Sequence, residues 1–287
     1  MAGPSITHDA RVGATPREAE KACVLDLQSE PTGTLRGARV QRHPMSESPS
    51  AHSLDLEIGH QPDDVSCGAT CLQALYGYYG DRDALEDVLR DVPQLENGGT
   101  LSANLAIHAL RRGYRARIYT YNLTVFDPTW FRPDGPDLSE KLRAQAEAKR
   151  DPRLTEATSA YLEYISLGGE LEMVDLTADL LRRWLVRGRP LLIGLSSTYL
   201  YQAAREVGSD TLHDDDVRGM PTGHFVVLSG WNDEDYTVRV ADPFRDNPHF
   251  KQHFYWLPVE RLITAILLGV LTYDGNLLVL VPGDAPF

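Results

Sequence analysis

The chain has 287 residues, of which 42% are apolar and 24% charged, with a formal net charge of −13 and a pI of about 5.1. That is enough chain for one large core or two small ones at ordinary globular composition, and its acidic balance gives no electrostatic support to a nucleic-acid partner. Three cysteines, Cys23, Cys67 and Cys71, are too few for a disulfide framework, form no zinc-ligand set and fit a reducing compartment, so neither metal nor cofactor is expected.

From Met1 to about Ser53 the sequence is rich in Pro, Ser, Arg, Glu and Gly without a sustained apolar period, and residues 1–53 are expected to be a disordered arm. The N-terminus lacks a basic start followed by an apolar run, and no later stretch approaches the ~18 apolar residues of a membrane span. A cytoplasmic protein with no membrane partner is the expectation. The folded part is expected over 54–287, where Leu54, Leu56 and Ile58 alternate with polar residues as a short strand leading into Gln61.

Gln61 to Leu72 is the first stretch that carries chemistry. Cys71, Leu72, Leu75 and Tyr79 recur at helical spacing, so a helix opens at Cys67 with Ser66 as its cap and Cys67 exposed on its first turn. A thiolate is the nucleophilic form of cysteine, and a helix N-terminus together with a nearby imidazolium favours it. Gly68 would let a substrate carbonyl approach the backbone. Gln61, six residues before Cys67, would add an amide donor to the Cys67 N–H and complete an oxyanion hole. Two readings of Cys67 are open here, a nucleophile or an inert buried thiol.

Further along, Ala84 to Leu89 and Leu101 to Leu110 read as helices, the second ending at Gly113. Arg115 to Tyr121 alternates as a strand, and Asn122 to Pro136 is a loop punctuated by prolines. Leu138–Arg150, with a heavily charged solvated face, and Leu154–Leu167 read as two helices, and Thr177–Arg187 as a third that stops at Gly188. Leu191–Leu195 is a continuous apolar run, as a strand covered on both faces requires. Tyr199–Tyr201 suits a short helix. Gly208–Thr222 is a loop whose His213-Asp214-Asp215-Asp216 cluster lacks the spacing of a calcium loop and reads as a solvated turn.

The second constellation is a hairpin. Gly223–Trp231 is an apolar strand headed by His224, Asn232–Asp235 is the turn, and Tyr236–Ala241 returns to Asp242-Pro243. In a hairpin the start of one strand lies beside the end of the other, which makes His224 and Asp242 neighbours. A carboxylate bound to one imidazole nitrogen fixes the tautomer and leaves the other nitrogen for a thiol proton. Taken singly, each residue also has a structural reading, His224 as a satisfied histidine and Asp242 as a turn residue before proline. After Pro258, Val259–Leu267 reads as a helix ending at Gly269 and Leu277–Val281 as a final buried strand.

With Gln61 ahead of Cys67-Gly68-Ala69-Thr70-Cys71-Leu72, Gly223-His224-Phe225-Val226-Val227 opening a strand, and Asp242-Pro243 closing a hairpin, the sequence resembles the papain-like cysteine peptidases. Within them it is most similar to the bacterial double-glycine leader peptidases and their stand-alone relatives, over roughly Leu54 to Pro258. The resemblance implies an α+β fold, with a helical lobe carrying the nucleophile packed on an antiparallel β-sheet lobe. It implies Cys67 as nucleophile, His224 as general base, Asp242 as its orienter, Gln61 as oxyanion donor and Cys71 as a structural cysteine. The protein is expected to be a stand-alone relative without a fused transporter segment, and its sequence departs from the pattern in carrying extra helices at about 138–167 and an extra loop at 208–222.

The function expected from this quartet is a thiol protease or amidase that hydrolyses a peptide or related amide through a thioester acyl-enzyme. An acyltransferase or transpeptidase using the same nucleophile, and a non-catalytic binding protein on a peptidase fold, are the alternatives. The substrate and the oligomeric state are not readable from the sequence.

Overall fold

A computed structural model of the chain describes residues 51–95, 98–208, 212–283 and 285–287. The expected arm lies outside them except for its last residues, and there the boundary moves. Ala51–Ser53 form strand β1, paired antiparallel with a later strand, so regular structure begins ahead of Leu54. The strand expected at Leu54–Ile58 does not form; Leu54 and Leu56 are buried, but the segment has no ladder of its own beyond the Leu54 N–H donated to the Ser229 carbonyl at 2.7 Å.

Three helices follow, α1 (Cys67–Tyr78), α2 (Leu85–Asp91) and α3 (Ser102–Arg111), and then strand β2 (Tyr114–Thr120). The turn into β2 uses Gly113 at φ +85°, a conformation glycine adopts without penalty. The charged segment forms α4 (Leu138–Lys149) and α5 (Pro152–Ser166), each started by an aspartate whose carboxylate accepts a first-turn N–H, Asp137 from Glu140 and Asp151 from Leu154. Leu142 is the one fully buried contact of α4, which explains why its sequence reads as a solvated face.

The second half holds β3 (Glu170–Glu172), α6 (Ala178–Leu185), β4 (Leu191–Ser196), α7 (Ser197–Tyr201) and the short pair β5 (Glu206–Val207) and β6 (His213–Asp214). It ends with β7 (Gly223–Asn232), β8 (Thr237–Ala241), β9 (Phe254–Pro258), α8 (Val259–Leu268) and β10 (Asn276–Pro282). Strands β3, β5, β6 and β9 are not among the elements expected from sequence. The first three are too short to show alternation, and β9 lies in a stretch that reads as a connection.

The main sheet runs β3-β2-β10-β4-β7-β8-β9, antiparallel throughout except between β2 and β3. One edge of β7 is shared: Gly223–Leu228 pair with β4, Gly230–Asn232 pair with β1, and the register with β8 shifts between Leu228 and Gly230. The mixture of helices with a mostly antiparallel sheet is the expected α+β class.

The central strands alternate between two cores. Leu192, Phe225, Val227, Leu278 and Leu280 face one core with α1, α3, α4 and α5, whereas Leu191, Ile193, Val226, Leu228 and Val279 face another with α6, α7 and α8. A strand buried on both sides has no polar face to show, which is why the run at Leu191 is continuously apolar. No described helix is long and apolar enough to cross a membrane.

Candidate active site

Helix α1 begins at Cys67 and packs its buried face against β7. Its start differs from the expectation in three ways. Ser66 holds the cap position but makes no side-chain cap bond; its hydroxyl donates instead to Asp63 Oδ1 at 2.5 Å, which also accepts the Val65 N–H. Asp63 thus organises the turn into the helix. Cys67 is buried rather than exposed, at 8% of its surface, because the first turn is set between β7 and the segment around Thr100. Gly68 is demanded by that packing and not by a passing substrate: a Cβ there would lie 2.9 Å from Thr100 Cγ2 and 3.2 Å from Phe225 Cδ2.

The hairpin places His224 and Asp242 together as expected, by an extension of the hairpin geometry. His224 itself pairs across to Leu195 of β4, three residues beyond the last β7–β8 pair, and its Nε2 reaches Asp242 Oδ1 at 2.9 Å. Both residues are buried. With Nε2 committed to the carboxylate, Nδ1 is the ring nitrogen left for Cys67, whose sulfur lies close enough to act on the ring electrostatically. Burial works against a charged ring here, but Asp242 and Cys67 outweigh it and push the His224 pKa up to about 10.

Asp242 is held from every side. Oδ1 accepts from His224 and from the Phe244 N–H at 2.9 Å, and Oδ2 accepts from the Tyr201 hydroxyl at 2.9 Å and the Tyr255 hydroxyl at 2.7 Å. Its backbone is clamped by His253, whose carbonyl accepts the Asp242 N–H at 2.8 Å while its Nδ1 meets the Asp242 carbonyl at 2.6 Å. Tyr201 and Tyr255 both keep their protons, burial and the adjacent carboxylate raising each well above the ordinary phenol value. The sequence gives no signal for either tyrosine, since α7 and β9 come to Asp242 only through the sheet.

Gln61 lies in the loop before α1 and is tied to the same strand end, its N–H donating to the Pro243 carbonyl at 3.0 Å. One hydrogen of its amide goes to the Asp63 carbonyl at 2.8 Å, which leaves the other unassigned, and its Oε1 is buried without a donor among the described residues. Cys71 behaves as a packing residue: its thiol is fully buried and donates to the Phe225 carbonyl at 3.3 Å, and burial first, then Cys67 and Asp242, push its pKa up. Of the cluster expected as a turn, His213 and Asp214 instead form β6, and the turn starts after them, Asp215 accepting from the Val217 and Arg218 N–H groups and pairing with the Arg218 guanidinium.

Cys67 and His224 open onto a cleft of about 1330 Å³. Both extra segments line it. Arg150 and Arg153 stand at the junction of α4 and α5, and Leu212 and Met220 come from the stretch around β6; across from them are Gly99 and Thr100. A base, its buried carboxylate and a sulfur at a helix N-terminus, whose first-turn N–H groups have no acceptor within the helix, together have the parts for nucleophilic acyl chemistry.

No family model and no curated protein matches the chain. Among solved structures it is similar to a double glycine motif protease from an AMS/PCAT transporter, determined in complex with the leader peptide, at 16% identity and a TM-score of 0.37 over 80% of this chain and 94% of that one. It is also similar to a protein from Bacillus anthracis described as C39-like peptidase, at 14% identity and a TM-score of 0.41 over 80% of this chain and 97% of that one. Xylellain, a cysteine protease from Xylella fastidiosa, gives 15% identity and a TM-score of 0.37 over 81% of this chain and 85% of that one. Likeness at these TM-scores carries no functional weight, and the chemistry of the site rests on the geometry of the cleft.

Proposed function

We propose that the protein is a cysteine-dependent hydrolase of a peptide or related amide, of the papain-like kind, with Cys67 as nucleophile, His224 as general base and acid, Asp242 as its orienter and Gln61 as an oxyanion donor. The observation that carries this reading is the buried His224–Asp242 pair beside a cysteine at a helix N-terminus, with Cys67 and His224 both at the wall of one open cleft.

In the proposed reaction the Cys67 proton is held by His224 Nδ1 and the sulfur attacks the substrate carbonyl. The oxyanion is met by the free Gln61 amide hydrogen and the Cys67 N–H. His224 then donates its proton to the departing amine as the C–N bond breaks, leaving a thioester. Water, deprotonated by His224, adds to the thioester carbonyl; the C–S bond then breaks, the acid is released, and sulfur leaves as the thiolate beside protonated His224, as at the start. A raised His224 pKa suits both roles, because the ring takes the proton readily and its charge is paired with Asp242 whenever it holds that proton.

The test is alkylation by a peptidyl acyloxymethyl ketone, read by intact mass and peptide mapping. Wild type is expected to be labelled on Cys67, Cys67→Ala to be inert, and His224→Ala to react at least ~100-fold more slowly. Equal labelling of wild type and Cys67→Ala would remove the proposal. Incubation of wild type and Cys67→Ser with a cytosolic peptide pool then identifies the bonds cleaved only by wild type.

A further inference from the structure

Asp274 is a buried carboxyl in the cleft that the reaction above does not use. It precedes β10, its N–H donating to the Gly269 carbonyl at 3.0 Å and its carbonyl accepting from Asn276 Nδ2 at 3.2 Å, so its position is fixed by backbone. The residue is 6% exposed, and the exposed part lines the same cleft as Cys67 and His224. Oδ2 accepts from the Thr272 hydroxyl at 2.9 Å; Oδ1 has no donor and the carboxyl no ion pair among the described residues. Arg153, the nearest guanidinium on the cleft wall, is engaged elsewhere, donating to the Thr272 carbonyl at 2.9 Å and lying 4.3 Å over the Tyr273 ring.

Two glycines make room for this carboxyl beside β7 and β4. A Cβ on Gly223, the residue before His224, would lie 2.1 Å from Asp274 Oδ2, and one on Gly194 would lie 3.1 Å from Asp274 Cβ. A carboxyl with a vacant acceptor, lining a cleft beside the reacting groups, has the form of a subsite floor.

We propose that Asp274 is the floor of a specificity subsite and selects substrates carrying an ammonium or guanidinium group next to the scissile carbonyl. The inference rests on the hydrolase reading for its catalytic consequence but not for the binding itself. Such a cation supplies the missing donor to Oδ1 and a direct ion pair in one step. The overall charge of −13 favours its approach.

Burial pushes the Asp274 pKa up to about 7, against the pull of the Thr272 hydroxyl, Arg153 of α5 and His224 of β7; Tyr161 of α5 is the remaining titratable neighbour. The preference for cations is therefore expected to strengthen as pH rises through about 7, where the free carboxyl loses its proton.

The experiment uses pairs of peptidyl acyloxymethyl ketones that differ only in lysine or norleucine at the first or second residue before the reactive carbon. At one of those positions wild type is expected to label Cys67 at least tenfold faster with lysine at pH 8.5 and with a much smaller ratio at pH 5.5. Because both probes share the chemistry of Cys67 and His224, the ratio isolates the subsite. In Asp274→Asn the ratio is expected to fall to near one.

A ratio near one in wild type at both positions, or one that survives Asp274→Asn, overturns the proposal. Should neither probe label Cys67, the hydrolase reading fails, and the subsite is decided separately in Cys67→Ala. Binding of N-acetyl-lysine methylamide over its norleucine counterpart, measured by NMR titration and lost in Cys67→Ala/Asp274→Asn, upholds it; equal binding sinks it. Thermal melts guard against misfolding. A raised carboxyl pKa contributes stability below about 4 that is lost as pH rises through about 7, so Asp274→Asn is expected to be at least as stable as wild type at pH 8.5.

Discussion

Asp242 is fully buried, and a carboxylate in that position persists only when its oxygens are satisfied. Its four donors also fix the direction from which His224 is held. Tyr255→Phe removes one donor to a buried carboxylate and is expected to cost about 1.5–3 kcal/mol of stability in urea melts. If Tyr255 positions the His224–Asp242 pair, kcat should fall with KM unchanged. A purely packing role would leave kcat intact. The pH dependence comes from His224. Its folded-state pKa, about 10, lies above the ordinary 6.5, so the stability from its pairing is complete below about 6.5 and is lost as pH rises through about 10. The kcat/KM profile for amide hydrolysis is expected to fall on the alkaline side with a midpoint near 10, measured on a peptide cleaved by wild type. The quartet is legible as residue types at telling positions. The tyrosines and Asp274 are not, because nothing in their own neighbourhoods distinguishes them from core residues.

At the scale of elements, α1 shows how packing overrules a local reading. Sequence spacing puts a helix start at Cys67, and the helix is there, yet the cap, the exposure of the cysteine and the purpose of Gly68 all depend on the residues packed opposite. Gly68→Ala is expected to destabilise by about 1–3 kcal/mol, since the new methyl must displace Thr100 or Phe225, and to shift the first turn enough to slow Cys67 labelling. Urea melts and alkylation rates check the two effects. The helices α4 and α5 are readable from their charged and apolar runs, and the structure adds their caps, Asp137 and Asp151, and moves the start of α5 back to Pro152. Strand β3 is not readable, because three residues paired to β2 carry no period of their own.

At the scale of the whole molecule, one sheet separates two cores, and β4, β7 and β10 contribute side chains to both. Neither core can be lost without stripping a face from those strands, so unfolding is expected to be a single cooperative transition. Far-UV circular dichroism and the loss of Cys67 labelling should coincide along a urea titration; separate midpoints would show that the α1 side opens independently. The cleft belongs to this scale too. Its walls come from α5, the stretch around β6 and the segment at Thr100, elements far apart in the chain.

By itself the sequence determined most of the longer elements and the nearness of His224 to Asp242, because helix and strand periods and a hairpin turn are properties of neighbouring residues, while the α+β class came from the resemblance its motifs carry. Only the tertiary structure decided that Cys67 is buried, that Tyr201, Tyr255 and His253 hold Asp242, and that Asp274 looks into the same cleft. Those facts depend on which strands lie side by side. Pairing β4 with β7 and β10 brings Leu195, His224 and the approach to Asp274 into one place, and no local period encodes that choice.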